Sequence, residues 1–179
     1  MQVKKIVYIG AFSALAFILM STISIPIIPY APYLRYEPSE VASIFIAVLF
    51  GPWAGVVVCF LKDLLYFFFR AKSIFGPTAD FFASGVFTFI IGAVYCKHRN
   101  KKSLIIAGIL ATIGRILIMI PINIVILWLQ FGFTTSKVLN MMLPIIIPFN
   151  SLKSIINFIA FYLIFSILAK RLRNFITED

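Results

Sequence analysis

Charged side chains are scarce in this chain. They make up 12% of its 179 residues, with six Asp and Glu against sixteen Lys and Arg. Soluble domains carry about twice that charged share, so a fully hydrated surface is excluded. Cysteine is scarce too: Cys59 and Cys96 stand in or beside apolar runs and form neither a disulfide framework nor a metal-ligand cluster. The single histidine, His98, lies in a basic stretch. No G-x-x-x-x-G-K-[ST] loop is present, and no Gly-Lys pair occurs anywhere, which excludes nucleotide hydrolysis through a P-loop. H-E-x-x-H and G-x-S-x-G are absent, and no residues pair as nucleophile and base, so the chain does not read as an enzyme. There is no internal repeat of the kind a self-sufficient alternating-access carrier often shows.

What is abundant is apolar. Hydrophobic residues reach 62%, with 20 Phe, 7 Tyr and 2 Trp, and the mean hydropathy is +1.06. This composition predicts a single all-α membrane domain over residues 1–179. Six spans are expected at roughly 3–25, 39–50, 52–70, 78–96, 103–130 and 143–169. The second is the weakest, since about 12 residues reach only about 18 Å as a helix.

The net charge of +10 raises nucleic acid as a partner, but its placement argues against it. Lys4 and Lys5, then Lys97, Arg99, Lys101 and Lys102, then Lys170, Arg171 and Arg173 flank the spans, which is the positive-inside pattern. Six spans put both termini and the 97–102 loop on the cytoplasmic side of a cell membrane. The apolar run after Lys5 continues through Ile25 without an A-x-A-like site, so it reads as a retained helix and not a signal peptide.

The segment Pro26 to Glu40 differs from its surroundings: Pro26, Pro29, Pro32 and Pro38 interleave with Tyr30, Tyr33 and Tyr36. Prolines preclude a continuous helix there and stiffen the chain. The tyrosines fit either an interfacial belt or an external lid presenting aromatic faces to a ligand. Glu37 and Glu40 suit the positive end of the following helix, which accounts for both without a ligand.

Several polar residues fall at membrane depth. Asn150 and Lys153 lie three apart on one helical face, and Asn157 extends that face by a turn. A lysine in hydrocarbon costs at least a few kcal/mol, so Lys153 should point into the bundle and have a partner. The choice is between a binding site and a purely structural stripe. Lys62 and Asp63 are adjacent on the third span and project about 100° apart, so they cannot face one groove squarely. Arg115 lies near mid-span in the fifth, where the simplest structural expectation is an Asp63–Arg115 ion pair. Asp80 opens the fourth span after Gly76-Pro77-Thr78, as helix starts generally prefer. Gly10 and Ala14 form a small-xxx-small pair on the first span that permits close helix approach. Lys, Arg, Asn and Asp together offer mixed donors and acceptors among many aromatics, which suits a planar, partly polar small molecule.

In order along the chain, Tyr33-Leu34-Arg35-Tyr36-Glu37-Pro38-Ser39-Glu40, Phe50-Gly51-Pro52-Trp53-Ala54-Gly55 and Leu61-Lys62-Asp63-Leu64-Leu65 stand in the register of a known family. Gly76 to Phe82, Arg115 to Pro121 and Pro148-Phe149-Asn150-Ser151-Leu152-Lys153 continue it. The chain resembles the riboflavin-specific substrate-binding (S) components of energy-coupling factor (ECF) transporters, the RibU family. The resemblance implies six membrane helices, cytoplasmic termini, and a flavin site near the external face capped by the Pro26–Glu40 loop. It implies substrate contacts at Leu34, Asn150 and Lys153 with the start of the fourth span nearby. With the polar groups above, the candidate substrate-binding set is Leu34, Tyr36, Lys62, Asp80, Phe81, Arg115, Asn150, Lys153 and Asn157. It further implies a transmembrane coupling protein and two ATPases as partners, with a small-residue docking face matching Gly10 and Ala14. Riboflavin is then cargo, and no cofactor or metal is expected. The family commonly has Asn where this chain has Asp63, Asp80 and Arg115, and the last departure leaves open a preference for an anionic flavin such as FMN. The alternatives are an S component for another vitamin, a membrane enzyme and a structural subunit.

Overall fold

The structure is a computed structural model that describes residues 2–29 and 31–177; Tyr30 and the side chains of 169–177, including Lys170, Arg171 and Arg173, lie outside the described part. Helix α1 spans Gln2–Thr22, α2 Glu40–Phe50, α3 Pro52–Phe69, α4 Phe75–His98 and α5 Lys101–Phe131. A short α6, Thr135–Met141, runs through a five-residue π-helical turn, Met142–Ile146, into α7, Ile147–Thr177. Among the described residues five stretches are long and apolar enough to cross a membrane, the last being Thr135–Leu168, and the shorter α2 makes a sixth helix.

Helix ends differ from expectation where local chemistry decides them. Helix α1 stops at Thr22, short of residue 25, because Ile25 and Pro26 pair antiparallel with Arg35 and Tyr36 as strands β1 and β2. Arg35 locks this hairpin by donating from Nε and Nη2 to Ser24 Oγ and O, both at 2.6 Å. Helix α4 begins at Phe75, earlier than residue 78, since Pro77 falls in its first turn, where a missing N–H costs nothing. The last span starts near Thr135 because Thr134 caps α6, accepting from Lys137 N.

Helix α2 survives its shortness by being wrapped. Val41, Ala42, Ile44, Ile46, Ala47 and Val48 are all buried against α1, α3, α4 and α7. Two glycines allow this approach. A Cβ on Gly55 would meet Thr88 Cγ2 at 2.5 Å and Ala47 Cβ at 2.6 Å, and one on Gly92 would meet Pro52 Cα at 2.8 Å. Gly51, at φ +96°, supplies the turn between α2 and α3 that a residue with a Cβ rarely adopts. Below these crossings Phe45, Phe87, Phe161 and Phe165 fill the interior, with Phe45 edge-on to Phe161 at 4.9 Å. Helix α1 packs on α2 and α3 through Ala16 and Met20, while most of its remaining length is exposed. This is a multi-pass membrane architecture in which the short helix carries the centre of the bundle.

Candidate functional site

The charged residues at membrane depth converge on one cluster. Lys153, on α7, extends its ammonium to Glu37 Oε1 at 2.6 Å, Asp80 Oδ1 at 2.6 Å and Glu40 Oε1 at 3.3 Å. One carboxylate oxygen from each of those acids lies within 4.8 Å of the others, and the lysine sits among them. Lys62, fully buried on α3, bonds Asp80 Oδ2 and stands 3.5 Å from Asp63 Oδ1. Arg115, on α5, directs Nη1 to both oxygens of Glu40 at 2.8 and 2.7 Å and Nε to Asn150 Oδ1 at 3.0 Å. The chain has six acids, and four of them, Glu37, Glu40, Asp63 and Asp80, are in this cluster.

The ion pair expected between Asp63 and Arg115 is not formed. Arg115 takes Glu40 instead, because the first turn of α2 places that carboxylate on the guanidinium while Asp63 lies beside Lys62. Lys62 and Asp63 are both buried, at 0% and 4% exposure. Their backbone directions differ as adjacent helical positions must, but the flexible lysine stem swings its ammonium across to Asp80. Glu37 and Glu40 are more than a helix-start pair: Glu40 is fully buried, and Glu37 is 3% exposed. A charge count would have found them. Lys62, Arg115 and Lys153 are three intramembrane cations against two intramembrane acids, Asp63 and Asp80, and the nearest further acids are Glu37 and Glu40.

A cavity with an open mouth lies against this cluster. The hairpin segment contributes Tyr33, Leu34, Arg35 and Glu37, α4 contributes Gly76, Ala79 and Asp80, and α5 contributes Arg115, Met119 and Asn123. Helix α7 contributes Phe149, Asn150 and Lys153. The π-helical turn places Asn150: its Nδ2 donates to Ile146 O at 2.9 Å, the carbonyl that the loosened turn presents, while its Oδ1 accepts from Arg115. One N–H and one lone pair of the amide remain for a ligand.

Of the candidate residues, Leu34, Asp80, Arg115, Asn150 and Lys153 line the cavity; Tyr36, Lys62, Phe81 and Asn157 do not. Tyr36 is turned away by its strand pairing, so Tyr33 and Leu34 face the cavity in its place. The Tyr36 phenol is held up from its ordinary pKa by burial and then by the Glu37 and Glu40 carboxylates, so it stays protonated. Phe81 packs edge-on to Phe60 at 5.8 Å. Asn157 donates Nδ2 to the Glu37 carbonyl at 3.2 Å, and Lys62 supports Asp80 from behind. The hairpin is thus tied to α7 twice, through the Glu37 side chain to Lys153 and through its backbone to Asn157. At its tip Tyr33 meets Phe131 of α5, ring centroids 6.0 Å apart. Gly10 and Ala14 are exposed, and a Cβ on Gly10 would meet nothing within 4 Å, so neither packs a neighbouring helix of this chain.

The sequence profile of the ECF transporter substrate-specific component matches residues 4–165. The riboflavin transporter RibU of Staphylococcus aureus (strain TCH60) is 35% identical over 181 residues, covering 98% of this chain and 93% of that protein. The riboflavin transporter FmnP of Bacillus subtilis (strain 168) is 27% identical over 175 residues, covering 92% of each. A solved structure of the S component of a bacterial ECF transporter superposes with a TM-score of 0.85 at 35% identity, over 96% of this chain and 99% of that one. Profile, relatives and superposition coincide with six helices around a polar-lined cavity, and the chain belongs to the substrate-specific components of ECF transporters.

Proposed function

We propose that this protein captures riboflavin and delivers it across the cell membrane with an ECF module, a transmembrane coupling protein and two ATPases. The observation that carries the reading is the cavity walled by Asn150, Lys153, Arg115 and Leu34 in a chain whose 35%-identical relative is named a riboflavin transporter. A flavin's pyrimidine edge alternates imide N–H and carbonyl groups. The remaining amide positions of Asn150 pair with such an edge, Lys153 and Arg115 supply donors to its oxygens, and Leu34, Phe149 and Met119 supply apolar contact for the rings. Both termini are cytoplasmic in this reading, and the hairpin closes the cavity from outside. The exposed Gly10–Ala14 face is where the coupling protein docks.

Detergent-purified protein should carry flavin absorbance. Reconstituted alone in liposomes it should bind riboflavin without concentrating it, because the chain has no P-loop. Colourless protein that takes up no added flavin, or uphill uptake by this chain alone, would contradict the reading.

The hairpin must move for the ligand to pass, since Glu37 and Tyr33 tie it down on both sides of the mouth. Its prolines limit the conformations surrendered on closing. Spin labels at Tyr33 and at Phe75, where α4 begins, should show a shorter, narrower distance distribution on riboflavin addition. An unchanged distribution with binding confirmed in the same sample would make the segment a fixed belt.

A further inference from the structure

The hairpin is held at its root and at its tip by contacts of unequal strength. At the root, Arg35 donates twice to Ser24 at 2.6 Å, Asn157 donates to the Glu37 carbonyl, and the Glu37 carboxylate meets Lys153 at 2.6 Å. Glu37 and Lys153 are 3% and 2% exposed, so parting them strands two charges away from water. At the tip, the Tyr33 ring leans on Phe131 with centroids 6.0 Å apart, and these two residues are 43% and 46% exposed. Losing an aromatic pair shifts an equilibrium by about two- to tenfold, whereas breaking a buried ion pair shifts it by about a hundredfold or more. The tip yields first.

The α5 side of the tip contact is braced. Helix α5 ends at Phe131, and Gly132, at φ +66°, turns the chain so that Phe133 returns beside Phe131, centroids 5.4 Å apart. Phe133 N donates to Leu127 O at 3.3 Å, and its ring packs on the buried cluster of Leu127, Val138, Met142 and Ile146. Lys137 Nζ stands 3.6 Å from the centre of the same ring. The hairpin is therefore the side that moves. Tyr33 lines the cavity, as do Leu127 and Gln130 on α5, whereas Phe131, Phe133 and Lys137 do not. Lifting Tyr33 from the end of α5 opens the cavity wall directly.

We infer that the ligand passes between Tyr33 and the end of α5, the hairpin tip lifting from Phe131 while the root stays closed. Phe131 is then a positioning residue: it sets the rate of ligand exchange without touching the ligand. The inference rests on the flavin reading above and specifies where the mouth opens.

Release is read as the recovery of riboflavin fluorescence after rapid dilution of the complex. Phe131→Ala should speed it by about two- to tenfold, the worth of the lost aromatic pair, with a melting curve close to the wild type's. Lys137→Ala, which removes only the brace, should speed it by less. Crosslinking then locates the route. A short thiol-to-thiol crosslinker joining Tyr33→Cys to Phe131→Cys should trap bound riboflavin and bar it from empty protein. The same treatment of Ile25→Cys/Tyr36→Cys should leave exchange as it was before treatment, since these residues face each other across the root strands and neither lines the cavity. Single-cysteine variants treated alike control for Cys59 and Cys96. If the tip pair of cysteines prevents folding, the Phe131→Ala release rate decides alone. Exchange that continues through the crosslinked tip, riboflavin trapped by the crosslinked root, or a wild-type release rate in Phe131→Ala would overturn the route. A wild type that never quenches riboflavin defeats the flavin reading itself, an outcome distinct from these three.

Discussion

Lys153→Ala is expected to cost the fold about 3–5 kcal/mol and to lose flavin binding with it. A lysine that only donated one hydrogen bond to a ligand would be worth about 1–3 kcal/mol when removed. The difference lies in what the ammonium leaves behind. Glu37, Glu40 and Asp80 bring carboxylate oxygens within 4.8 Å of one another, and Lys153 contacts all three. Without it, Glu37 loses its ionic partner, and of its two ties to α7 the hairpin keeps the Asn157 bond to its backbone. Thermal melting in detergent and riboflavin quenching should therefore fall together in Lys153→Ala. Lys153→Arg, which keeps the charge, should recover much of the melting temperature. A wild-type melting curve for Lys153→Ala would show that the three carboxylates find another counter-charge.

Ala14→Trp should abolish assembly with the coupling protein and reduce riboflavin uptake to background while leaving binding untouched. Ala14 and Gly10 are exposed on α1, and among the described residues a Cβ on Gly10 would meet nothing within 4 Å. Ala14 is exposed, so the effect of a bulky side chain there on folding and on the cavity should stay within about 0.5 kcal/mol. Against a partner helix the same indole blocks the close backbone approach that small residues permit. Co-purification of the coupling protein with tagged wild type and Ala14→Trp, beside a quenching titration of each, separates the two effects. Assembly at the wild-type level in Ala14→Trp would place the docking face elsewhere.

The spans were readable because hydrocarbon demands continuous apolar runs, and even the short α2 stood out between Glu40 and the Gly51-Pro52 turn. The Asn150–Lys153 face was readable for the converse reason, since polar residues three apart in such a run need a shared interior. Both residues line the cavity. Partner choice was not readable. Helical spacing says which residues share a face of one helix, but the Arg115–Glu40 pair joins residues 75 positions apart. Nothing in the sequence distinguishes that pairing from one with Asp63. Local rules also hid the acids: Glu37 and Glu40 fit a helix start so well that only the count of intramembrane charges points to their burial. Tyr36 failed as a cavity residue because strand alternation turns on register, and the register is set by Ile25, eleven residues back.

The most direct measurement is a riboflavin fluorescence titration against the detergent-solubilised wild type, run beside Asn150→Ala with melting curves for both. Asn150 touches Arg115, the Ile146 carbonyl and the cavity, so its loss should weaken binding by about 1–3 kcal/mol in a protein that still melts cooperatively. Saturable quenching by the wild type, weakened in Asn150→Ala, is the expected result. A wild type that leaves riboflavin fluorescence unchanged, or an Asn150→Ala variant with wild-type affinity, would contradict a flavin site at the Asn150–Lys153 face.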